Sequence, residues 1–149
     1  MHDHLVSNYY TSSDWNGVSD YEKDRAIMFA KEMGYIGFVS DIYGKDFHDL
    51  NNIDQQIELS NYYRSNPDIF IGRIQAAVHE LIGGLDGTIM IMEDKIALNG
   101  YCFGGTGSLM YALSDNDDVL GIVSVHGGLM PFEIETDDTS PRILVLSGK

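Results

Sequence analysis

The stretch Lys95-Ile-Ala-Leu-Asn99-Gly100-Tyr-Cys102-Phe103-Gly104-Gly105-Thr-Gly107-Ser108 decides the fold. It begins as a short apolar run, breaks at a cluster of glycines and resumes as Leu109-Met-Tyr-Ala-Leu113. A run of that length ending in glycine predicts a buried strand, and the segment beyond the break predicts a helix. At the corner stands Cys102, the one cysteine in 149 residues. Gly100-x-Cys102-x-Gly104 has the spacing of a nucleophile elbow, with cysteine in the place of serine.

Such a corner makes physical demands. A strand turning directly into a helix holds the corner residue in a strained conformation that costs about 1–3 kcal/mol. Side chains two positions before and after would collide with it, so glycine is required at 100 and 104. The corner side chain is lifted clear of the sheet at the positive end of a helix, where a thiolate is stabilised and its pKa falls. The Phe103 N–H then faces the place where an acyl oxyanion would form. A phosphate-loop or dinucleotide reading of the glycines fails, because neither Gly-Lys-Ser/Thr nor the G-x-G-x-x-G spacing is present.

Working outward, Ser19 or Asp20 caps a helix that Gly34 stops, with Ala26, Ile27, Phe29, Ala30 and Met33 as its apolar face. Tyr35-Ile-Gly-Phe-Val-Ser40 reads as a buried strand, and Asp41 at its end ties down the loop that follows. Two helices are predicted next, from Ile53 to Arg64 and from about Asp68 to Gly83-Gly84. Ile89-Met-Ile-Met92 is strand or helix tail. Gly121-Ile-Val-Ser-Val125 and Pro141-Arg-Ile-Leu-Val-Leu146 close the pattern as further strands. Strand–helix–strand order predicts an α/β fold, with a mostly parallel sheet flanked by helices on both faces. The first 13 residues are the least defined. Leu5-Val-Ser-Asn-Tyr-Tyr-Thr-Ser-Ser13 is too polar for a fully buried strand, which leaves a strand with one face covered or a frayed end.

Composition narrows the function classes. A formal charge of −14 argues against nucleic acid or an anionic membrane as partner. With 44% hydrophobic residues and no long apolar run, the sequence predicts a soluble single domain without a transmembrane helix. The start, Met1-His-Asp-His-Leu, lacks the basic end and apolar stretch of a signal peptide. One cysteine makes no internal disulfide, which favours a reducing compartment and hence the cytoplasm.

Gly-Tyr-Cys-Phe-Gly-Gly preceded by Lys-Ile-Ala-Leu-Asn resembles the nucleophile segment of the dienelactone hydrolase family. Asp14-Trp-Asn-Gly-Val-Ser-Asp-Tyr-Glu-Lys upstream and Val123-Ser-Val-His126-Gly-Gly-Leu129 downstream match in the right order. The resemblance implies an α/β-hydrolase with a Cys-Asp-His triad, no cofactor and no metal. It implies Cys102 as nucleophile and the Trp15 N–H as second oxyanion donor beside that of Phe103. It also puts Asp14 where many relatives have a glutamate near the thiol; the plainer reading is that Asp14 and Asn16 shape a turn. His126 lies at a strand end like Cys102, yet the family order of nucleophile, acid, histidine assigns it to loop packing or substrate contact. Arg64 and Arg73 suit a carboxylate substrate in chemistry, and a solvated helix face is the preferred reading for both.

In the family the acid follows the strand that ends here near Ser147, and the histidine comes later still. The sequence therefore predicts a C-terminally incomplete domain that carries the nucleophile and the oxyanion hole without the triad acid and base. The implied activity is hydrolysis of a small ester or lactone, with this chain nearly inactive alone. A non-catalytic descendant that binds a small molecule or a protein is the alternative, and a redox-sensing thiol is a third reading. On the non-catalytic alternative, the sheet edge left exposed by an absent last strand predicts a homodimer or instability.

Overall fold

A computed structural model describes residues 8–45, 52–87, 91–114, 116–129 and 141–148. His2, His4 and His48, and the polar loop holding Glu135, Asp137 and Asp138, lie outside the described residues. The elements run β1 (Asn8–Ser12), α1 (Asp20–Met33), β2 (Ile36–Ser40), α2 (Ile53–Ser65), α3 (Pro67–Ile82), α4 (Gly84–Gly87), β3 (Ile96–Tyr101), α5 (Phe103–Ala112), β4 (Gly121–Val125) and β5 (Arg142–Leu146). The strands form one sheet in the order β2-β1-β3-β4-β5, and every pairing is parallel. The described part of the 89–92 run, Ile91 and Met92, is neither helix nor strand.

Helix α1 starts as its sequence requires. The Ser19 Oγ accepts from the Tyr21 N–H at 3.2 Å, and Glu22 Oε2 accepts from the Ser19 N–H at 2.8 Å, closing a capping box. Gly34 ends it in the left-handed region with φ 69°. Successive β3 residues then sort the helices onto two faces. Tyr101 meets the Tyr21 ring of α1 edge-on at 6.0 Å, whereas Gly100 presses on α5. Every residue of α5 is buried, between the sheet and α3. A helix that is apolar or small on all sides belongs in such a place. Phe70, Ile74, Val78 and Leu81 of α3 pack there with Ile96, Leu98, Phe103 and Met110, each burial contributing about 1.5–3 kcal/mol. Among the described residues no helix is long and apolar enough to cross a membrane.

Three expectations are corrected. First, β1 lies in the middle of the sheet, paired with β2 on one side and β3 on the other. Its polar sequence does not prevent this, because the ladder is made by backbone groups whatever the side chains. Thr11, Ser12 and Ser13 are buried there, with hydroxyls that find no hydrogen-bond partner among the described residues. Second, β2 is only partly covered, since it is the first strand of the order and has a neighbour on one side alone among the described residues. Third, the buried face of α1 is narrower than its apolar pattern: Ala26 and Glu22 are buried, whereas Ile27, Ala30 and Met33 are exposed.

The tightest approach in the fold generates a paired prediction. A methyl group on Gly100 would overlap the Gly104 carbonyl, which is backbone and cannot rotate away. Gly72, exposed in the middle of α3, has no atom of the described residues within 4 Å of its place for a Cβ. Gly100→Ala is expected to cost about 3 kcal/mol or more of unfolding free energy, while Gly72→Ala stabilises by up to about 1 kcal/mol. Denaturant titration of the two variants checks this, and equal costs would contradict it.

Candidate active site

Cys102 is the residue before α5, with φ 48° and ψ −110°. A side chain in that region is strained by about 1–3 kcal/mol and persists only where its surroundings fix it. Here they do. The Cys102 N–H donates to the Val125 carbonyl at 2.9 Å, and the Cys102 carbonyl accepts from the Thr106 N–H at 3.0 Å and the Thr106 hydroxyl at 3.2 Å. The flanking glycines have a different cause from the collision with Cys102 that the sequence suggests. A Cβ on Gly100 would run into the peptide that joins Gly104 to Gly105. A Cβ on Gly104 would lie 2.8 Å from the Ser13 carbonyl oxygen. At Gly105 a Cβ would lie 2.8 Å from Ser124 Oγ and 2.9 Å from the Gly100 carbonyl oxygen.

Opposite the thiol is the turn that follows β1. The Trp15 N–H donates to Asp14 Oδ1 at 2.7 Å, and the Phe103 N–H donates to the same oxygen at 3.4 Å. The second bond is long, but both donors aim at one negatively charged atom. The Gly17 N–H closes the turn on the Asp14 carbonyl at 3.0 Å, and the Tyr43 hydroxyl donates to the Trp15 carbonyl at 2.7 Å. Asp41 Oδ1 accepts from the N–H groups of Tyr43 and Gly44 at 3.1 and 3.0 Å, so it ties down its loop as the sequence predicts.

The electrostatics differ from expectation. Burial raises the Cys102 pKa, and the negative charge of Asp14 adds to the effect. The Phe103 N–H and the Arg64 guanidinium pull the other way and do not prevail. The helix end alone would have lowered it; a half-buried thiol beside a carboxylate does the reverse. Asp14 is itself raised by burial, against hydrogen bonds from the N–H groups of Trp15 and Phe103, with a smaller lowering by its hydrogen bond from the Cys102 thiol.

Arg64 is the residue that sequence reasoning undervalued. It is half-buried, with its guanidinium carbon 5.2 Å from the centre of the Phe103 ring. A signal was present: Gln56, Ser60 and Tyr63 recur at helical spacing and are all buried, so the polar stripe ending at Arg64 faces inward. Arg73 is exposed, as expected of a solvated face. His126 is exposed with φ 57°, and its N–H donates to the Leu146 carbonyl at 2.7 Å. No hydrogen bond joins its ring to the thiol among the described residues. His79 pairs instead with Asp118 at 3.2 Å. Among the described residues no group of three His, Cys, Asp or Glu side chains is placed to hold a metal ion.

These opposed charges predict opposite responses of the thiol. Asp14→Asn removes the negative neighbour and lowers the pH midpoint of Cys102 alkylation by iodoacetamide; Arg64→Met removes the positive one and raises it. Alkylation rates followed from pH 6 to 10 test both. Shifts in the same direction would contradict this account.

A sequence profile described as the dienelactone hydrolase family matches residues 12–149. No curated protein matches. Among solved structures, a dienelactone hydrolase-like promiscuous phosphotriesterase from metagenomic libraries is 25% identical with a TM-score of 0.74, covering 95% of this chain and 56% of its own. The structure called m3DLH is 22% identical with a TM-score of 0.77, covering 96% of this chain and 57% of its own. An α/β-hydrolase enzyme from a Medee basin deep-sea metagenome library is 17% identical with a TM-score of 0.62, covering 97% and 57%. The chain thus spans just over half the length of the solved relatives it matches. With the profile running from the end of β1 through the elbow to the last residue, the chain belongs to the dienelactone hydrolase family.

Proposed function

We propose that this site attacks a small ester or lactone through Cys102, as the acylating part of a hydrolase. The observation that carries the reading is the convergence of the Trp15 and Phe103 N–H groups on one oxygen of Asp14, beside the thiol. That carboxylate oxygen stands where the oxyanion of a tetrahedral intermediate would sit, and the same donors would serve it. Family membership and the elbow spacing support the same chemistry.

The step balances as follows. The carbonyl oxygen of the substrate displaces Asp14 from the two N–H groups. Cys102 Sγ forms a bond to the carbonyl carbon, the π electrons move onto the oxygen, and the thiol proton passes to the Asp14 carboxylate that it hydrogen-bonds. Collapse of the intermediate breaks the bond to the alkoxy oxygen, which takes that proton back. The thioester then needs water and a base to be released. With no histidine ring hydrogen-bonded to the thiol among the described residues, this chain alone should stop at the acyl-enzyme.

A chromogenic ester tests this. With p-nitrophenyl acetate the expected result is one equivalent of p-nitrophenolate per chain, absent in Cys102→Ala. No release from a chain with an intact thiol would favour the non-catalytic binder. Steady turnover lost in Cys102→Ala would mean that a deacylating base lies within these residues, and His126→Ala would then test that residue. The raised thiol pKa disfavours a peroxide-sensing cysteine, which requires an ionised sulfur.

A second copy of the chain is the proposed macromolecular partner. Ile143, Leu144, Val145 and Leu146 are 41, 52, 37 and 48% exposed, on a β5 whose outer edge is unpaired among the described residues. Light scattering should show a dimer that Leu144→Lys dissociates; a monomeric wild type at high concentration would refute this.

A further inference from the structure

The two candidate oxyanion donors are 88 positions apart in sequence and lie on separate elements, so something must hold one peptide in register with the other. Besides the Asp14 carboxylate, which accepts from both N–H groups, the Tyr43 side chain touches both donor-bearing residues. The Tyr43 hydroxyl donates to the Trp15 carbonyl at 2.7 Å, and the Tyr43 ring lies 5.6 Å from the Phe103 ring. We propose that Tyr43 is a positioning residue that aligns the Trp15 N–H with the Phe103 N–H at the acyl oxygen. This inference rests on the acylation reading given above.

The geometry makes the hydroxyl a specific tether. The Trp15 carbonyl and N–H sit on either side of one α-carbon, in a turn whose other closure is the Gly17–Asp14 bond. Holding the carbonyl, together with the Gly17–Asp14 bond across the same turn, therefore restrains the residue that supplies the donor. Tyr43 is itself held. It is 7% exposed, its N–H is bound by Asp41, and its ring packs 5.6 Å from that of Tyr63, which lies 5.8 Å from Phe70. Phe70 in turn stacks on Phe103 at 4.5 Å. The anchor and the elbow thus share one aromatic cluster, and a shift of either is felt by the other. Burial raises the phenol pKa, so the hydroxyl remains a donor throughout the range in which a thiol is titrated.

Tyr43→Phe removes the tether and keeps the ring, which separates the two contributions. Two reactions of the same sulfur then discriminate positioning from mere integrity. Acylation by p-nitrophenyl acetate builds negative charge on an oxygen that needs both N–H groups, whereas alkylation by iodoacetamide builds none. Loss of a whole oxyanion donor costs about 10²–10³-fold, so loosening one is expected to slow the acylation burst about 10-fold or more. The alkylation rate and its pH midpoint should stay as in wild type, with an unchanged far-ultraviolet circular dichroism spectrum. Equal acylation by wild type and Tyr43→Phe would overturn the positioning role and leave the thiol chemistry standing. A parallel fall in alkylation would also overturn it, by showing that the hydroxyl serves only the integrity of the fold. Absence of any Cys102-dependent acylation in wild type would overturn the acylation reading and this inference with it.

Discussion

The peptides of Gly100 and Gly104 approach until no side-chain carbon fits between them, and the rest of the site follows from that approach. It lets β3 turn into α5 without a connecting loop, which puts Cys102 at the bend with φ 48°. The helix that follows is then forced directly over the sheet. It must be apolar or small on every side, as Phe103–Ala112 is. Helix α3 seals its outer surface through Phe70 and Ile74, whose side chains would meet a Cβ at Gly107 within 2.9 Å. A strained corner is tolerable because everything around it is backbone or packed core, and neither can yield.

At this corner charge matters as much as shape. Two N–H groups brought together would be costly if buried with nothing to accept from them. Asp14 supplies an oxygen for both, and the same carboxylate presses the thiol toward its neutral form. Arg64, at the end of α2, opposes that pressure from over the Phe103 ring. On the proposed reading, the resting site favours a neutral thiol and keeps Asp14 on the two N–H groups that would receive the oxyanion. In the proposed chemistry one event, the arrival of a carbonyl oxygen, removes Asp14 from the pocket and brings it to the proton.

Strand β1 shows how far local composition can mislead. Thr11, Ser12 and Ser13 would not be chosen for the centre of a parallel sheet, and their hydroxyls are buried without partners among the described residues. Position in the sheet was nevertheless set by pairing on both sides. Ser12 lies in register with Ser40 of β2 and Gly100 of β3, directly below the elbow. Small residues suit that location, because a carbon on Gly104 would already crowd the Ser12 and Ser13 carbonyls. What reads as polarity along the chain acts as small volume in the fold.

The sequence by itself determined the corner, the parallel α/β architecture and the ends of α1, since glycine spacing, apolar runs and a Ser-x-x-Glu cap are local signals with local causes. It also marked Cys102, Phe103, Trp15 and Asp14 as residues to watch. Only the tertiary structure decided how they meet: that Trp15 and Phe103 aim at one oxygen of Asp14, that Arg64 turns inward, and that β1 is central. The direction of the thiol pKa belongs to the same group, because a helix end is visible in sequence whereas burial and a carboxylate 88 residues away are not. Distances between remote residues are set by the packing of whole elements, and no pattern of spacing along one strand or helix contains them.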